Sequence, residues 1–316
     1  MTARRVTITK LEGAQNDFIL IDGLAQRMNG LGREWPRMAA AVCDRASALG
    51  ADGLLVLERS LRADVRMRIF NPDGSEPSMC GNGIRCLAWH VHRHHLKARH
   101  FSIETAAGIK YAEVVGDHRV RVNMGLPRFL KCVSLSMVRH QELGGGTHAD
   151  LIDSGVPHLV CWVKKVDLVD VDRLGRALRR DRRFRPHGTN VDFVEQRSAQ
   201  ARYDKSLQAV VHAYRLRMRT YERGVEHETK ACGTGAVAAA AALVHAWMPL
   251  ATSLGRESDV IRSIVDVRLP GGTLQVRLSA KYLFDHDRLI FGNAFLEGPV
   301  RQLSRHTLTW TGRSFS

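Results

Sequence analysis

Residues 65–92 read VRMRIFNPDGSEPSMCGNGIRCLAWHVH, and residues 216–245 read LRMRTYERGVEHETKACGTGAVAAAAALVH. Laid side by side, the two stretches tell one story twice. Each opens on an Arg-Met-Arg strand, crosses a polar loop, reaches Cys-Gly-x-Gly and enters an apolar run with helical spacing. The spacing predicts helices from Ile84 to about His95 and from Ala236 to about Trp247. The second is apolar almost all round, as a fully buried helix must be. The echo continues downstream. Thr105-Ala-Ala-Gly108 leads into a strand ending near Asn123-Met-Gly-Leu-Pro127, and Leu269-Pro-Gly-Gly272 leads into strands ending near Leu296-Glu-Gly-Pro299. A repeat this long is a duplicated domain rather than a short-period solenoid. The expected fold is α/β (α+β), in two pseudo-symmetric domains. Each is a mostly antiparallel sheet wrapped around a central apolar helix, with the active site in the cleft between them. The expected boundaries are 1–127 with the C-terminal 300–316, and 128–299.

Working outward, Arg5 to Lys10 and Phe18 to Asp22 alternate like strands around a turn-like Leu11 to Asp17. Residues 34–48 carry helical periodicity, and Leu54 to Glu58 and Val65 to Phe70 read as strands. The Arg-rich segment 173–186 reads as an exposed helix, 196–208 as a polar hairpin tip and 249–264 as a long connection. The tail from about Gln302 shows no clear periodicity.

Composition narrows the class. The 316 residues are 44% hydrophobic, enough for a sizeable core, with a formal charge of +15. The basic residues are dispersed, and no cluster carries the aromatic interleaving of a nucleic-acid stacking platform, so a solvated surface is the expected reading. No apolar h-region follows the charged N-terminus, and no run approaches the roughly 18 apolar residues of a membrane span. A cytoplasmic protein is expected. The six cysteines contain no CxxC pair, which argues against a zinc site and thioredoxin chemistry. Cys43, Cys132 and Cys161 are expected to be buried as small hydrophobes, and Cys86 to lie inside its helix.

Cys80 and Cys232 differ from these. Glycines allow tight backbone approach, and the first turn of a helix aims unpaired N–H groups outward. Such a terminus suits a carboxylate and lowers a thiol from its free value of about 8.5. Two equivalent cysteines facing one carbon could work as a pair. One, as thiolate, removes the α-proton, and the other, as thiol, protonates the opposite face. The helix N-termini would hold the charge that develops on the carboxylate.

The motifs carry a resemblance. MCGNGIRC (Met79 to Cys86) and YERGVEHETKACGTGA (Tyr221 to Ala236) resemble the two signature segments of diaminopimelate epimerase. So do GAQNDFILID, GADGLLVLE, IFNPDGSE, VNMG, Gly155-Val-Pro-His158, Thr189-Asn190-Val191 and LPGG, over nearly the whole chain. The resemblance implies a cytoplasmic, homodimeric isomerase of lysine and peptidoglycan-precursor biosynthesis. It implies conversion of LL-2,6-diaminoheptanedioate to the meso form, with no cofactor and no metal. By it, Cys80 is the proton donor and Cys232 the proton acceptor, with His158 and Glu222 beside the reacting centre. Asn16, Asn71, Gly81, Asn82, Asn190, Glu222, Arg223, Gly233 and Thr234 are the substrate-binding positions. The pattern is departed from at Gly53, where some members have Gln, and at Val156, where some have Asn. Two alternatives remain open: a two-cysteine racemase acting on proline or hydroxyproline, and a non-catalytic basic protein that binds nucleic acid. Asn82 and the Glu222-Arg223 pair argue against the first, since a small cyclic substrate has no distal zwitterion to hold.

Overall fold

The computed structural model describes residues 3–26, 28, 32–46, 49–135, 143, 148–204, 209–252, 260–283 and 288–315. The chain forms two compact units, Met1–Val122 with Gly298–Ser316, and Asn123–Glu297. Both are mixed α/β.

In the first unit, β1 (Arg4–Gly13) and β2 (Asn16–Asp22) form a hairpin, followed by α1 (Trp35–Cys43), β3 (Gly53–Glu58) and β4 (Val65–Phe70). Helix α2 (Gly81–His94) then leads to β5 (His100–Thr105), β6 (Gly108–Gly116) and β7 (Arg119–Gly125). The second unit contains β8 (Arg128–Ser134), β9 (His148–Asp153), β10 (Pro157–Trp162), α3 (Val171–Arg179), β11 (Asn190–Asp204) and β12 (Ala209–Tyr221). It continues with β13 (Glu228–Thr229), α4 (Gly233–Thr252), β14 (Ile261–Leu269), β15 (Gly272–Leu283), β16 (Arg288–Phe291) and β17 (Ala294–Pro299). The chain then returns to the first unit as β18 (Arg301–Trp310).

The duplication extends to the pairing of eight strands in each repeat, with β13 and β16 extra to the second. In the first unit the order is β18-β1-β2-β3-β4-β5-β6-β7, with pairings antiparallel, antiparallel, parallel, antiparallel, parallel, antiparallel, antiparallel. In the second it is β8-β9-β10-β11-β12-β14-β15-β17, with the same sequence of senses. Strand β18 is thus the counterpart of β8. One repeat takes its outer strand from the beginning of its own segment, the other from the far end of the chain.

Each sheet curls around one helix. Helix α2 packs on β1, β2, β3, β4 and β6, and α4 on β8, β9, β10, β11, β14, β15 and β16. Every residue from Ala236 to Val244 is buried. An alanine-rich helix brings no long side chains to its surface, so the sheet can approach it from several sides. Helix α2 is buried from Gly81 to Val91, including the polar Asn82, Arg85 and His90.

Several expectations need correction. The tail from Gln302 is a strand, paired with β1 from Arg4↔Trp310 to Glu12↔Arg301. It hid because both of its faces are largely exposed from Arg301 to Thr307, leaving no alternation to read. The 173–186 segment is a shorter helix, Val171–Arg179, and not merely an exposed one. Val171, Leu174 and Leu178 are buried at helical spacing while the arginines face outward. The hairpin expected at 196–208 is the outer part of the long β11–β12 pair, with 205–208 outside the described residues. In the 249–264 segment, α4 runs on to Thr252, β14 starts at Ile261, and 253–259 lie outside the described residues. Cys132 is exposed. A register shift between Phe129 and Lys131 changes which side chains of β8 face inward.

Candidate active site

Both Cys-Gly-x-Gly segments build the same local device. Cys80 is the N-cap of α2 in extended conformation, and its sulfur accepts the Gly83 N–H at 3.5 Å. Its carbonyl accepts the first intrahelical bond from Ile84 at 2.9 Å. Cys232 repeats this at α4. Gly235 N–H donates to its sulfur at 3.4 Å, and Ala236 N–H to its carbonyl at 3.0 Å. Each sulfur therefore sits where an N-cap oxygen usually sits, at the positive end of a buried helix. That is why both helices start at the glycine after the cysteine, ahead of the predicted Ile84 and Ala236.

Around Cys232 the second unit assembles a hydrogen-bonded chain. The Thr234 hydroxyl lies 3.4 Å from Cys232 Sγ and 3.0 Å from His158 Nε2. His158 Nδ1 lies 2.7 Å from Asp192 Oδ2, and the Thr220 hydroxyl donates to Asp192 Oδ1 at 2.7 Å. His158 and Asp192 are fully buried. The parallel pairing of β10 with β11 places His158 opposite Asn190, two residues from Asp192. Asn190 Nδ2 donates to the Pro157 carbonyl at 3.1 Å and stands 3.4 Å from His158 Nε2. Its Oδ1 accepts the Arg223 N–H at 2.8 Å. Arg223 follows β12 in a tight turn where Gly224 and Glu226 take positive φ of 93° and 63°. Its guanidinium donates to the His187 carbonyl at a long 3.4 Å.

Burial pushes the Cys232 thiol well up, and the Glu222 and Asp192 carboxylates push it further. The Thr234 hydroxyl and the Gly235 N–H pull the other way without prevailing. In this state Cys232 is a thiol.

The first unit arranges different chemistry around Cys80. Asn82 Nδ2 donates to Asn16 Oδ1 at 3.2 Å, and Asn16 Nδ2 donates to Asp52 Oδ2 at 2.5 Å. Asn16 is placed by the hairpin turn Ala14-Gln15, both residues being left-handed with φ of 57° and 58°, as a two-residue hairpin turn requires. Arg85 lies wholly inside the protein. It donates to the Gly81 carbonyl and to Asn82 Oδ1, each at 2.9 Å. Burial depresses it to about 10, so it remains a cation at neutral pH, aimed at the start of the helix. Its described hydrogen bonds go to neutral oxygens, leaving its charge to favour an anion there. Asn71 is engaged within its own loop, donating to Ser75 Oγ at 2.9 Å.

The predicted positions thus gather into two groups, Cys232, Gly233, Thr234, His158, Asn190, Glu222 and Arg223 in one unit, and Cys80, Gly81, Asn82 and Asn16 in the other. Asp192, Thr220 and Arg85 escaped the sequence reading. Asp192 stands two residues after Asn190 in an alternating strand, where a buried carboxylate is the signal, but burial is not visible in one sequence. The departure at Gly53 has a steric basis, since a Cβ there would lie 3.0 Å from the Phe70 carbonyl oxygen. Among the other cysteines, burial drives the Cys43 and Cys86 thiols up to about 12, as suits inert core positions.

Among the described residues, Asp22, His90 and His95 could hold a metal, with ligand atoms within 4.8 Å of one another. They already satisfy one another, His90 Nε2 and His95 Nε2 lying 2.9 and 2.6 Å from Asp22 Oδ2. No helix among the described residues is long and apolar enough to cross a membrane.

Comparison with known proteins shows the family. The family model of diaminopimelate epimerase matches residues 8–130 and 151–282. The diaminopimelate epimerase of Methanothrix thermoacetophila is 34% identical over 313 residues, 95% of each chain. A Bacillus anthracis phenazine biosynthesis protein of the PhzF family superposes with a TM-score of 0.66 at 15% identity, covering 96% of this chain and 99% of that one. A hydroxyproline epimerase from Agrobacterium vitis superposes with a TM-score of 0.58 at 16% identity, covering 97% and 93%. Those two likenesses concern the fold, whereas the matches in sequence span both cysteine motifs, and by them the chain belongs to the diaminopimelate epimerase family.

Proposed function

We propose that this chain epimerises LL-2,6-diaminoheptanedioate to the meso form, as a cytoplasmic homodimer in lysine and peptidoglycan-precursor biosynthesis, without cofactor or metal. The observation that carries the mechanism is the repeated device at Cys80 and Cys232, a sulfur capping a buried helix in both halves of a duplicated fold. Cys232 as thiolate takes the α-proton, and Cys80 as thiol protonates the opposite face. The carbanion's charge spreads onto the α-carboxylate, which the N–H groups following Gly81 and Gly233 receive, aided by Asn82 and Thr234. Such donors cost no reorganisation as charge develops, because the helices hold them in place.

The far end of the substrate carries a second carboxylate and ammonium. Arg223 supports recognition of the carboxylate by its planar fork. Glu222, Asn16, Asn71 and Asn190 supply acceptors for ammonium protons. Asn190 Oδ1 accepts the Arg223 N–H, so these two residues assigned to the far end of the substrate are joined directly.

The test is incubation of purified, reduced protein with LL-diaminoheptanedioate, L-proline and trans-4-hydroxy-L-proline in separate reactions. Each contains a chelator and no pyridoxal phosphate, with stereoisomers separated on a chiral column. The meso isomer should form, and the cyclic substrates should remain unchanged. Inversion of a cyclic amino acid alone would move the chain to the racemase reading, and restoration of turnover by a metal would end the metal-free one.

A further inference from the structure

A buried thiol beside two carboxylates is poorly placed to ionise, yet the proposed reaction begins from the Cys232 thiolate. The hydrogen bonds of the second unit contain the means to make one. Their direction can be worked out from the outside inward. The Arg223 N–H donates to Asn190 Oδ1, so the other face of that amide is the NH2. This NH2 points at the Pro157 carbonyl and at His158 Nε2. A donor facing Nε2 means that Nε2 carries the lone pair and Nδ1 the proton. Nδ1–H then donates to Asp192 Oδ2 at 2.7 Å. With Nε2 an acceptor, the Thr234 hydroxyl donates to it at 3.0 Å, leaving its oxygen free to accept from Cys232 S–H at 3.4 Å.

The geometry points to Asp192 as a positioning residue that fixes the His158 tautomer and balances the imidazolium formed when Cys232 gives up its proton through Thr234. The step balances. The Cys232 S–H bond breaks with its electron pair kept on sulfur, and the proton passes to Thr234 Oγ1. The hydroxyl proton of Thr234 passes to His158 Nε2. The products are a Cys232 thiolate and an imidazolium bound to the Asp192 carboxylate. The inference rests on the reading of Cys232 as proton acceptor.

The surroundings hold Asp192 in this role. Its second oxygen accepts from Thr220 at 2.7 Å, which prevents the carboxylate from turning away. The last glycine of the second Cys-Gly-x-Gly segment makes room for it, since a Cβ on Gly235 would stand 2.7 Å from Asp192 Oδ1. Ser154 steadies the relay from the far side, its hydroxyl donating to the Thr234 carbonyl at 2.9 Å. Among the described residues, the carboxylates that bear on Cys232 are Glu222 and Asp192.

Two measurements test the assignment. The first needs no substrate. Histidine-15N NMR of the intact chain, with the His158 signals assigned by loss in His158→Gln, should show neutral His158 protonated at Nδ1. Protonation at Nε2 would overturn the proposal, whatever the enzyme turns over. The second is kinetic. Asp192→Asn should lower kcat by about 10² to 10⁴, the span of general-base contributions, with KM within about threefold. Thr234→Val, equal in shape but lacking the hydroxyl, should lower kcat by a similar factor. An Asp192→Asn or a Thr234→Val enzyme with unchanged kcat would refute the relay. Failure of the wild-type chain to invert diaminoheptanedioate would count against the proposed substrate, while the tautomer would still report on Asp192.

Discussion

Replacing Cys232 by serine or by alanine separates the two tasks of that residue. As an N-cap, its sulfur satisfies the Gly235 N–H of a buried helix. As the proposed base, it must become a thiolate. Alanine ends both tasks. Loss of an N-cap costs about 0.5 to 2 kcal/mol, and a long sulfur bond belongs at the lower end of that range. Removing a buried sulfur leaves a small void with a further cost, so the expected destabilisation of Cys232→Ala is about 1 to 2 kcal/mol. Serine is a preferred cap, and its hydroxyl can accept from Gly235 and donate to Thr234 as the thiol does. Cys232→Ser should stay within about 0.5 kcal/mol of the parent. Turnover should fall in both by at least the factor of about 10² to 10⁴ that a positioned acid or base contributes. Denaturant unfolding and initial rates measured on the same preparations check this. The expected ranking is serine equal to parent and above alanine in stability, with both far below parent in activity. A serine enzyme with near-parent turnover would refute the chemistry. An alanine enzyme as stable as the parent would refute the cap.

Three further outcomes are expected. Arg223→Lys keeps the charge but loses the fork that grips a carboxylate, so KM for diaminoheptanedioate should rise while the unfolding midpoint holds; unchanged kcat/KM would mean that Arg223 does not touch the substrate. Gly175→Ala in α3 should destabilise, because the new Cβ would fall 2.3 Å from the Cβ of fully buried Tyr221, and overpacking of about 1 to 3 kcal/mol exceeds the roughly 1 kcal/mol of helix propensity gained; a raised unfolding midpoint would show that Tyr221 can yield. Burial alone would raise the Asp22 carboxyl, yet hydrogen bonds from His90, His95 and the Ala25 N–H hold it well below the usual carboxylate range. A depressed folded value gives stability that is present above the unfolded pKa of about 3.9 and lost as pH falls toward the folded one. Unfolding midpoints of the parent should therefore decline below about pH 4 more steeply than those of Asp22→Asn, and parallel curves would remove Asp22 from the account.

The duplicated stretches were legible because repetition turns two weak motifs into one strong statement, and because an alanine-rich helix after a glycine turn has few other readings. Strand edges and exposed faces were not. Strand β18 pairs with β1 across nearly the whole chain, a contact that leaves no local periodicity. Cys132 was misread because its expected burial rested on the usual behaviour of cysteine, whereas it lies on β8, most of whose residues are exposed. At the site, the residues next to the motifs were readable, whereas Asp192 and Arg85 act through burial. A buried carboxylate beside a histidine and a buried guanidinium behind a helix N-terminus look, in sequence, like any other charges on a strand or helix.

The central claim is that two groups work on opposite faces of one carbon. Conversion of LL-diaminoheptanedioate in deuterated water, sampled before much product accumulates, tests it most directly. The account predicts that the meso product carries solvent deuterium at the inverted carbon, while unreacted substrate keeps its original proton. A meso product that retains the substrate's own α-proton would mean a single base shuttling one proton between faces, and would contradict the account.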